Sequence, residues 1–449
     1  MKKQSVCFSC CLLIAVSLRA EGNGFTLTLP GAEEKAVKHS PRLASVESDA
    51  ASAREKALSQ SSLLWPSVVV DGYWKYISEV PSLSLFGRTI TFGANDNYSI
   101  GPTIRWNAWD GGLINARRAS AAAAAAKDAD ARVSRRQLLL SVRTAYFQTQ
   151  GALEQVRLLA ESLRLAQFQY ADIERRVRAG ASSRLDGLSA HQDVLTRLAQ
   201  LRQARADLAV SLRELADLTG EALPEGDLLP LDAATAKDLP ADVEPANLVP
   251  VLDATALSQK ALAPASDGRP GPRHPQLESL ADSAESARRA ADGARAGHWP
   301  KFQLSARSSL DYPNGPILEQ INQKSVGVTA SLSIFEFDRI SRDIRVQEAQ
   351  ARAFDERRAQ AEEDLLRQWS EARDQWAALD AQRTIFRRRA AEAEELSRLV
   401  YESYKAGQSR FLDVQTANLR VLEAEVQSVR ADFQILSQLA LLAELSEGE

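Results

Sequence analysis

The sequence predicts a mainly α chain with a small β part, built as a tandem repeat of a strand pair plus a long α-helical hairpin. Three observations predict it. Proline is absent from Thr103 to Leu223 and from Ile317 to the C-terminus, and neither proline nor glycine falls between Gly327 and Gly407. Those tracts are rich in Ala, Leu, Arg, Glu and Gln, so very long helices are expected. Four landmarks recur in order, and short segments between them alternate apolar and polar residues.

The landmarks define the repeat. "HSPRL" at His39–Leu43 is echoed by "HPQL" at His274–Leu277. Pro41 stands as far before Trp65-Pro66 as Pro275 does before Trp299-Pro300. "YSIGPTIRWNAWDGG" (Tyr98–Gly112) matches "KSVGVTASLSIFEFD" (Lys324–Asp338), and "RAGASSRLDG" (Arg178–Gly187) matches "KAGQSRFLDV" (Lys405–Val414). The expected organisation is a segment over 1–20, an N-terminal extension over 21–38, repeat 1 over 39–220, a linker over 221–272 and repeat 2 over 273–447.

The first twenty residues read as a secretory signal peptide. Lys2 and Lys3 precede the apolar stretch Cys7–Leu18, and small residues follow. A cytosolic N-terminal helix is the competing reading. All three cysteines, Cys7, Cys10 and Cys11, lie in this segment. The exported remainder would then hold no disulfide, thiol nucleophile or thiolate metal site. A lipoprotein cysteine is missing after the apolar run, where Leu18-Arg19-Ala20-Glu21 stands.

In each repeat a helix of about twenty residues comes first (Pro41–Leu63; Pro275–Ala296), ended by Trp-Pro because the residue before proline is pushed out of helical geometry. Two strands follow. In the last of them Val326, Val328, Ala330, Leu332 and Ile334 alternate with Ser325, Gly327, Thr329, Ser331 and Ser333. Phe302, Leu304 and Ala306 alternate with Gln303, Ser305 and Arg307, and Ile104 and Trp106 with Thr103, Arg105 and Asn107. About ten residues is the length of a tilted transmembrane strand. Tyr73, Trp74, Tyr76, Trp106 and Trp109 suit an interfacial girdle. A soluble sheet with one wet face gives the same alternation; the long hairpins and the signal peptide favour the membrane. Four strands cannot close a conducting barrel, and an open sheet in lipid leaves unsatisfied edges, so several chains must pool their strands.

The long helix spans Gly112 to Gly180 in one repeat and Asp338 to Gly407 in the other. At ~1.5 Å per residue each reaches about 100 Å, too long for a compact domain. Leu139, Val142, Tyr146, Leu153, Val156, Ala160 and Leu163 follow coiled-coil steps. In the return helix Val194, Leu201, Leu208 and Leu215 recur every seventh residue, with Leu198 and Leu212 between them. At the tips, Gly180 and Gly407 suit left-handed C-caps, Ser182 and Ser409 are placed to cap the return helices, and Asp186 and Asp413 lie one turn inside.

Lys plus Arg is 55 and Asp plus Glu 59, a net charge of −4 with no basic tract, which argues against a nucleic-acid partner. His39, His191, His274 and His298 are scattered without metal-ligand spacing. No catalytic constellation and no cofactor or metal site is expected.

Taken in order, these motifs resemble the TolC-type outer-membrane efflux protein family, over about 39–447. The resemblance implies a homotrimer in outer-membrane lipid, each chain giving four strands to a 12-stranded transmembrane β-barrel fused to a trimeric α-barrel in the periplasm. It implies a passive exit duct coupled to a periplasmic adaptor (membrane fusion) protein and an inner-membrane pump or transporter. It further implies that Asp186, Asp413 and Tyr404 form the periplasmic entrance gate. Gly180, Ser182, Leu185, Gly407, Ser409 and Leu412 then make adaptor-docking tips. "SIFEFD" (Ser333–Asp338) departs from the family's glycine pair, which "NAWDGG" (Asn107–Gly112) keeps. The alternative is a periplasmic coiled-coil adaptor or scaffold.

Overall fold

A computed structural model describes residues 27–86, 88–91, 93–221, 269–315 and 317–446. The expected signal peptide and nearly all of the expected linker lie outside the described residues. In chain order the elements are α1 (Leu29–His39), α2 (Pro41–Ser62), β1 (Ser67–Tyr76), β2 (Ser82–Leu85), β3 (Arg88–Thr91), β4 (Asp96–Trp109), α3 (Gly111–Arg178) and α4 (Arg184–Thr219). The second repeat holds α5 (Pro275–Arg295), a short 3-10 turn (Ala296–His298), β5 (Lys301–Tyr312), β6 (Ile321–Ser331), α6 (Arg339–Lys405) and α7 (Phe411–Leu445). No described helix is long and apolar enough to cross a membrane.

The two rods are as long as the breaker-free tracts predict: α3 has 68 residues and α6 has 67. The seam of α3 faces inward, with Val142, Tyr146, Leu153, Val156 and Leu163 buried against Leu201, Leu208, Leu212 and Leu215 of α4. Leu139 and Ala160 are only half-buried. α3 packs on α2, α4, α5 and α7, while α6 packs on α5 and α7. The short and return helices of each repeat therefore run along the same rod, one toward the sheet and one toward the tip. At the joint in repeat 2, Leu277 of α5 shares a core with Leu442 and Leu445 of α7. In repeat 1, Gly220 at the end of α4 lies against His39, so close that a Cβ there would come within 2.3 Å of the ring. The N-terminal extension contains a helix that composition did not reveal. α1 lies on α3 and α4, held by Arg143 Nε to Glu33 Oε1 at 2.6 Å and by Tyr146 OH donating to the Leu27 carbonyl at 2.9 Å.

The sheet runs β1-β4-β5-β6, all antiparallel, and a separate hairpin β2–β3 interrupts the first strand pair. β4 reaches Asp96, several residues before the alternation predicted, and β6 ends at Ser331, so Leu332 and Ile334 lie beyond it. Register sorts the faces. Val68, Val70 and Trp74 stand opposite Ile104, Pro102 and Tyr98; Ile100, Ile104 and Trp106 stand opposite Leu310, Ala306 and Leu304; Val326 and Val328 continue that row. The other face holds Asp71, Ser99, Thr103, Arg105, Arg307, Ser309 and Asp311. Tyr73 falls on this polar face, opposite Ser99, so it does not join the apolar girdle: strand parity sets it opposite to Trp74.

The polar face is cross-braced. Thr103 donates to Asp71 at 2.8 Å, Arg307 bonds both Asp71 and Ser99, and Ser309 donates to Asp311 at 3.0 Å. Gly101 makes this close packing feasible, since a Cβ there would lie 2.1 Å from the Ser308 carbonyl oxygen. Gly101→Ala should cost about 1–3 kcal/mol by overpacking. Gly327→Ala, whose Cβ would meet only the Ser305 hydroxyl at 3.2 Å, should be tolerated. The fraction of detergent-extracted protein that stays folded in SDS should fall for the first variant and not for the second.

Candidate functional site

The tips of the two hairpins are built by local sequence. Gly180 and Gly407 have φ of 73° and 78°, the left-handed geometry that glycine adopts without a Cβ clash. Each closes a Schellman motif. Gly180 N donates to Val177 O at 3.0 Å and Ala181 N to Arg176 O at 2.8 Å. Gly407 N and Gln408 N do the same to Tyr404 O and Ser403 O, both at 3.0 Å.

The return helices start one residue later than the serine spacing predicts, which corrects the expected caps. Ser183, not Ser182, caps α4: its hydroxyl accepts from Asp186 N at 3.1 Å, and Asp186 Oδ2 accepts from Ser183 N at 3.2 Å. Arg410, not Ser409, occupies the N-cap of α7, where Asp413 Oδ2 accepts from Arg410 N at 3.0 Å. A Ser-x-x-Asp box was present in the sequence at Ser183–Asp186, and it is the signal that locates the cap.

The displaced serines have other partners. Ser182 Oγ donates to Asp186 Oδ2 at 2.9 Å and lies 3.2 Å from the Tyr404 hydroxyl. Ser409 Oγ donates back to the Val400 carbonyl at 3.3 Å. The Asp186–Ser182–Tyr404 chain thus ties the tip of the first hairpin to the second within one protomer. Tyr404 is 9% exposed and packs its ring 5.6 Å from Phe411, in a small core with Ile173, Ala190 and Val414. The Arg176 guanidinium sits 5.7 Å over the Tyr404 ring and is held by Asp172 at 3.0 Å. Deeper in the hairpins, Asn418 donates to Gln169 at 2.8 Å, Ser397 donates to Asn418 at 2.7 Å, and Gln415 donates to the Ser189 carbonyl at 2.9 Å. None of Arg176, Gln169, Gln415 and Asn418 stood out in the sequence, because their partners lie up to 249 positions away.

The structure therefore brings Asp186, Ser182 and Tyr404 together and leaves Asp413 exposed at its own helix start. Gly180, Leu185, Gly407 and Leu412 are exposed, with Leu185 at 73% and Leu412 at 66%; Ser182 and Ser409 are half-buried. Among the described residues no group of three or more His, Cys, Asp or Glu is arranged to hold a metal ion.

Burial raises the Asp186 carboxyl, but hydrogen bonds from Ser183 and Ser182 outweigh it and hold it below the usual aspartate range. A depressed folded value means that the carboxylate favours the folded tip above the ordinary aspartate pKa, and that this contribution is lost as pH falls through the lower folded value. Protection of the Ser183 and Asp186 amides from hydrogen exchange, relative to the unstructured chain, should hold down to the ordinary aspartate range and be lost as pH falls through the lower folded value. In Asp186→Asn exchange there should be faster at neutral pH and lose that pH dependence. Tyr404→Phe, which removes one hydroxyl contact, should cost about 0.5–1.5 kcal/mol of tip stability.

Comparison with known proteins follows the same outline. A family model described as outer membrane efflux protein matches residues 33–221 and 272–446. No curated protein matches the sequence significantly. Among solved structures, the outer membrane protein VceC of Vibrio cholerae is 17% identical, with a TM-score of 0.71 over 93% of this chain and 95% of its own. The MtrE outer membrane channel of Neisseria gonorrhoeae, in its open state, is 18% identical, with a TM-score of 0.71 over 94% and 89%. The CmeC outer membrane channel of Campylobacter jejuni is 15% identical, with a TM-score of 0.70 over 94% and 86%. At these identities the likeness is one of fold.

Proposed function

The chain belongs to the outer membrane efflux protein family, a family of outer-membrane exit ducts, and we propose that it works as a homotrimer gated at its hairpin tips. The observation that carries the trimer is the open sheet. β1 and β6 are both edge strands, and the chain places an apolar row of Val68, Val70, Ile104, Leu304, Val326 and Val328 on one face. In lipid, unpaired edges are prohibitive. Three copies pair β6 of one with β1 of the next and close twelve strands around the polar face. The helical layer fits the same symmetry. Its outermost helices keep apolar side chains in the open, Val210 and Leu195 on α4 and Ile385 and Leu399 on α6, where neighbouring copies cover them.

The duct then acts by opening and closing rather than by bond chemistry. The Asp186–Ser182–Tyr404 chain holds the two tips of each protomer against one another, and three such chains around the axis narrow the entrance. Asp186 and Asp413, six carboxylates in the trimer, favour cations at the mouth and repel each other as they converge. Exposed Leu185 and Leu412, beside the glycine turns at Gly180 and Gly407, suit docking of a periplasmic adaptor, which in turn couples the duct to an inner-membrane pump or transporter. A periplasmic adaptor is the less favoured reading for the chain itself, because two hairpins each follow their own strand pair and the family match covers both repeats.

Planar-bilayer recording tests the gate. The wild-type trimer should show a low-conductance closed state. Tyr404→Phe, and more so Asp186→Ala with Tyr404→Phe, should raise the open fraction. Asp186→Ala with Asp413→Ala should lower cation selectivity, read as a shift of the reversal potential in a salt gradient. Unchanged selectivity in that double variant refutes the acidic-mouth assignment.

A further inference from the structure

The departure at Ser333–Asp338 is a structural one as well. In the first repeat the strand-to-helix junction is packed inward. Asp110 caps α3, its carboxylate accepting from Gly112 N at 2.8 Å, and Gly111 lies so close to the 3-10 turn that a Cβ would come 2.9 Å from that of Ala296. In the second repeat Asp338 makes no side-chain cap, and Phe337 and Asp338 both hold left-handed backbone, with φ of 46° and 67°. This turn leaves Ile334, Phe335 and Phe337 exposed at 91%, 74% and 84%, with the two phenyl rings 4.6 Å apart. Three large apolar side chains in one short loop, one of them Phe337 on left-handed backbone that a phenylalanine disfavours, need a covering surface.

Their place in the sheet says which surface. Leu332 and Ile334 continue the parity of Val326, Val328 and Ala330, the apolar face of β6, past the end of the strand. Two aromatic rows bound that face. Tyr98 stacks on Tyr312 at 5.1 Å at one end, and Trp109 meets Phe302 edge-on at 6.3 Å at the end nearer the helices. From Phe302 to Tyr312 the strand rises about 33 Å, or about 25 Å across a bilayer at the usual barrel tilt. Ala330 pairs with Phe302, so the Ile334–Phe337 loop lies just beyond the helix-side row, at the depth of the headgroups. Its polar neighbours suit that depth: Glu336 pairs with Arg339, Asp338 with Arg345 at 3.6 Å, and Lys301 with Asp110 at 3.3 Å.

We infer that Ile334, Phe335 and Phe337 form a lipid anchor, seated in the headgroup–acyl boundary of the leaflet that faces the helices. The inference rests on the barrel reading above. Burying such rings at the interface fixes the height and tilt of the barrel in the bilayer, as interfacial aromatics do. The glycine-bearing junction of the first repeat has no counterpart, so the trimer would carry three anchors rather than six.

Site-directed spin labelling separates the possible coverings. In the exported protein, whose three cysteines Cys7, Cys10 and Cys11 leave with the expected signal peptide, nitroxides are placed by Phe337→Cys, Phe335→Cys, Val328→Cys and Leu185→Cys, singly. The protein is reconstituted in phosphatidylethanolamine–phosphatidylglycerol vesicles and relaxed with oxygen, which concentrates in lipid, or with a neutral nickel chelate, which stays in water. The anchor predicts that oxygen outweighs nickel for Phe337→Cys and Phe335→Cys, less strongly than for Val328→Cys, and that nickel outweighs oxygen for Leu185→Cys. Nickel dominance for the two loop labels, with Val328→Cys still in lipid, overturns the anchor and leaves the barrel standing. Protection of the loop labels from both reagents means that a neighbouring copy covers the loop, and also overturns it. Failure of Val328→Cys to favour oxygen overturns the barrel itself.

Discussion

The structure turns on backbone hydrogen bonds that the chain cannot make alone. A four-stranded antiparallel sheet has two edges, and here β1 and β6 each present a row of unpaired groups beside apolar side chains. In water such an edge is tolerable; in hydrocarbon each unmet group costs several kcal/mol. Closure by further copies removes the cost, and everything else follows that symmetry. In the proposed trimer the polar face, braced by Asp71, Thr103, Ser99 and Arg307, lines a lumen, and the helices that leave the sheet form a ring.

A ring of rods raises a second problem, which is how to make a wall two elements deep in sequence but one layer thick in space. Each repeat solves it by abutting a short helix on a return helix, so that α2 with α4, and α5 with α7, run alongside the long α3 and α6. The short and return helices thus cover each rod in turn from sheet to tip. In the proposed trimer the entrance narrows where the hairpins turn. There, a few hydrogen bonds and one small aromatic core join the two halves of a protomer. On the proposed gating, opening would break this joint and leave the rods that carry it folded.

The rods and the apolar strand face were legible in the sequence because both depend on local periodicity and on where glycine and proline stand. The duplication was legible because turns fix chemistry at set offsets, as in Gly180 and Gly407. Other features were not. α1 was hidden in a stretch without seam spacing, and its hold on α3 comes from Glu33 meeting Arg143, a pairing 110 positions apart. The helix caps shifted by one residue, since Ser182 and Ser183 are chemically alike and only the geometry of the turn decides between them. Tyr73 was assigned to the girdle by its residue type, whereas its neighbour Trp74 shows that parity decides. At the site, Asp186, Ser182 and Tyr404 do meet, while Asp413, Leu185 and Leu412 stand exposed at the tips.

On the barrel reading three chains, and not one, make the finished molecule. Native mass spectrometry of the protein released from lipid nanodiscs tests it most directly. The expected result is a single species holding three chains that survives mild activation and does not dissociate on dilution. A stable lone chain, released intact and free of bound lipid, would contradict it.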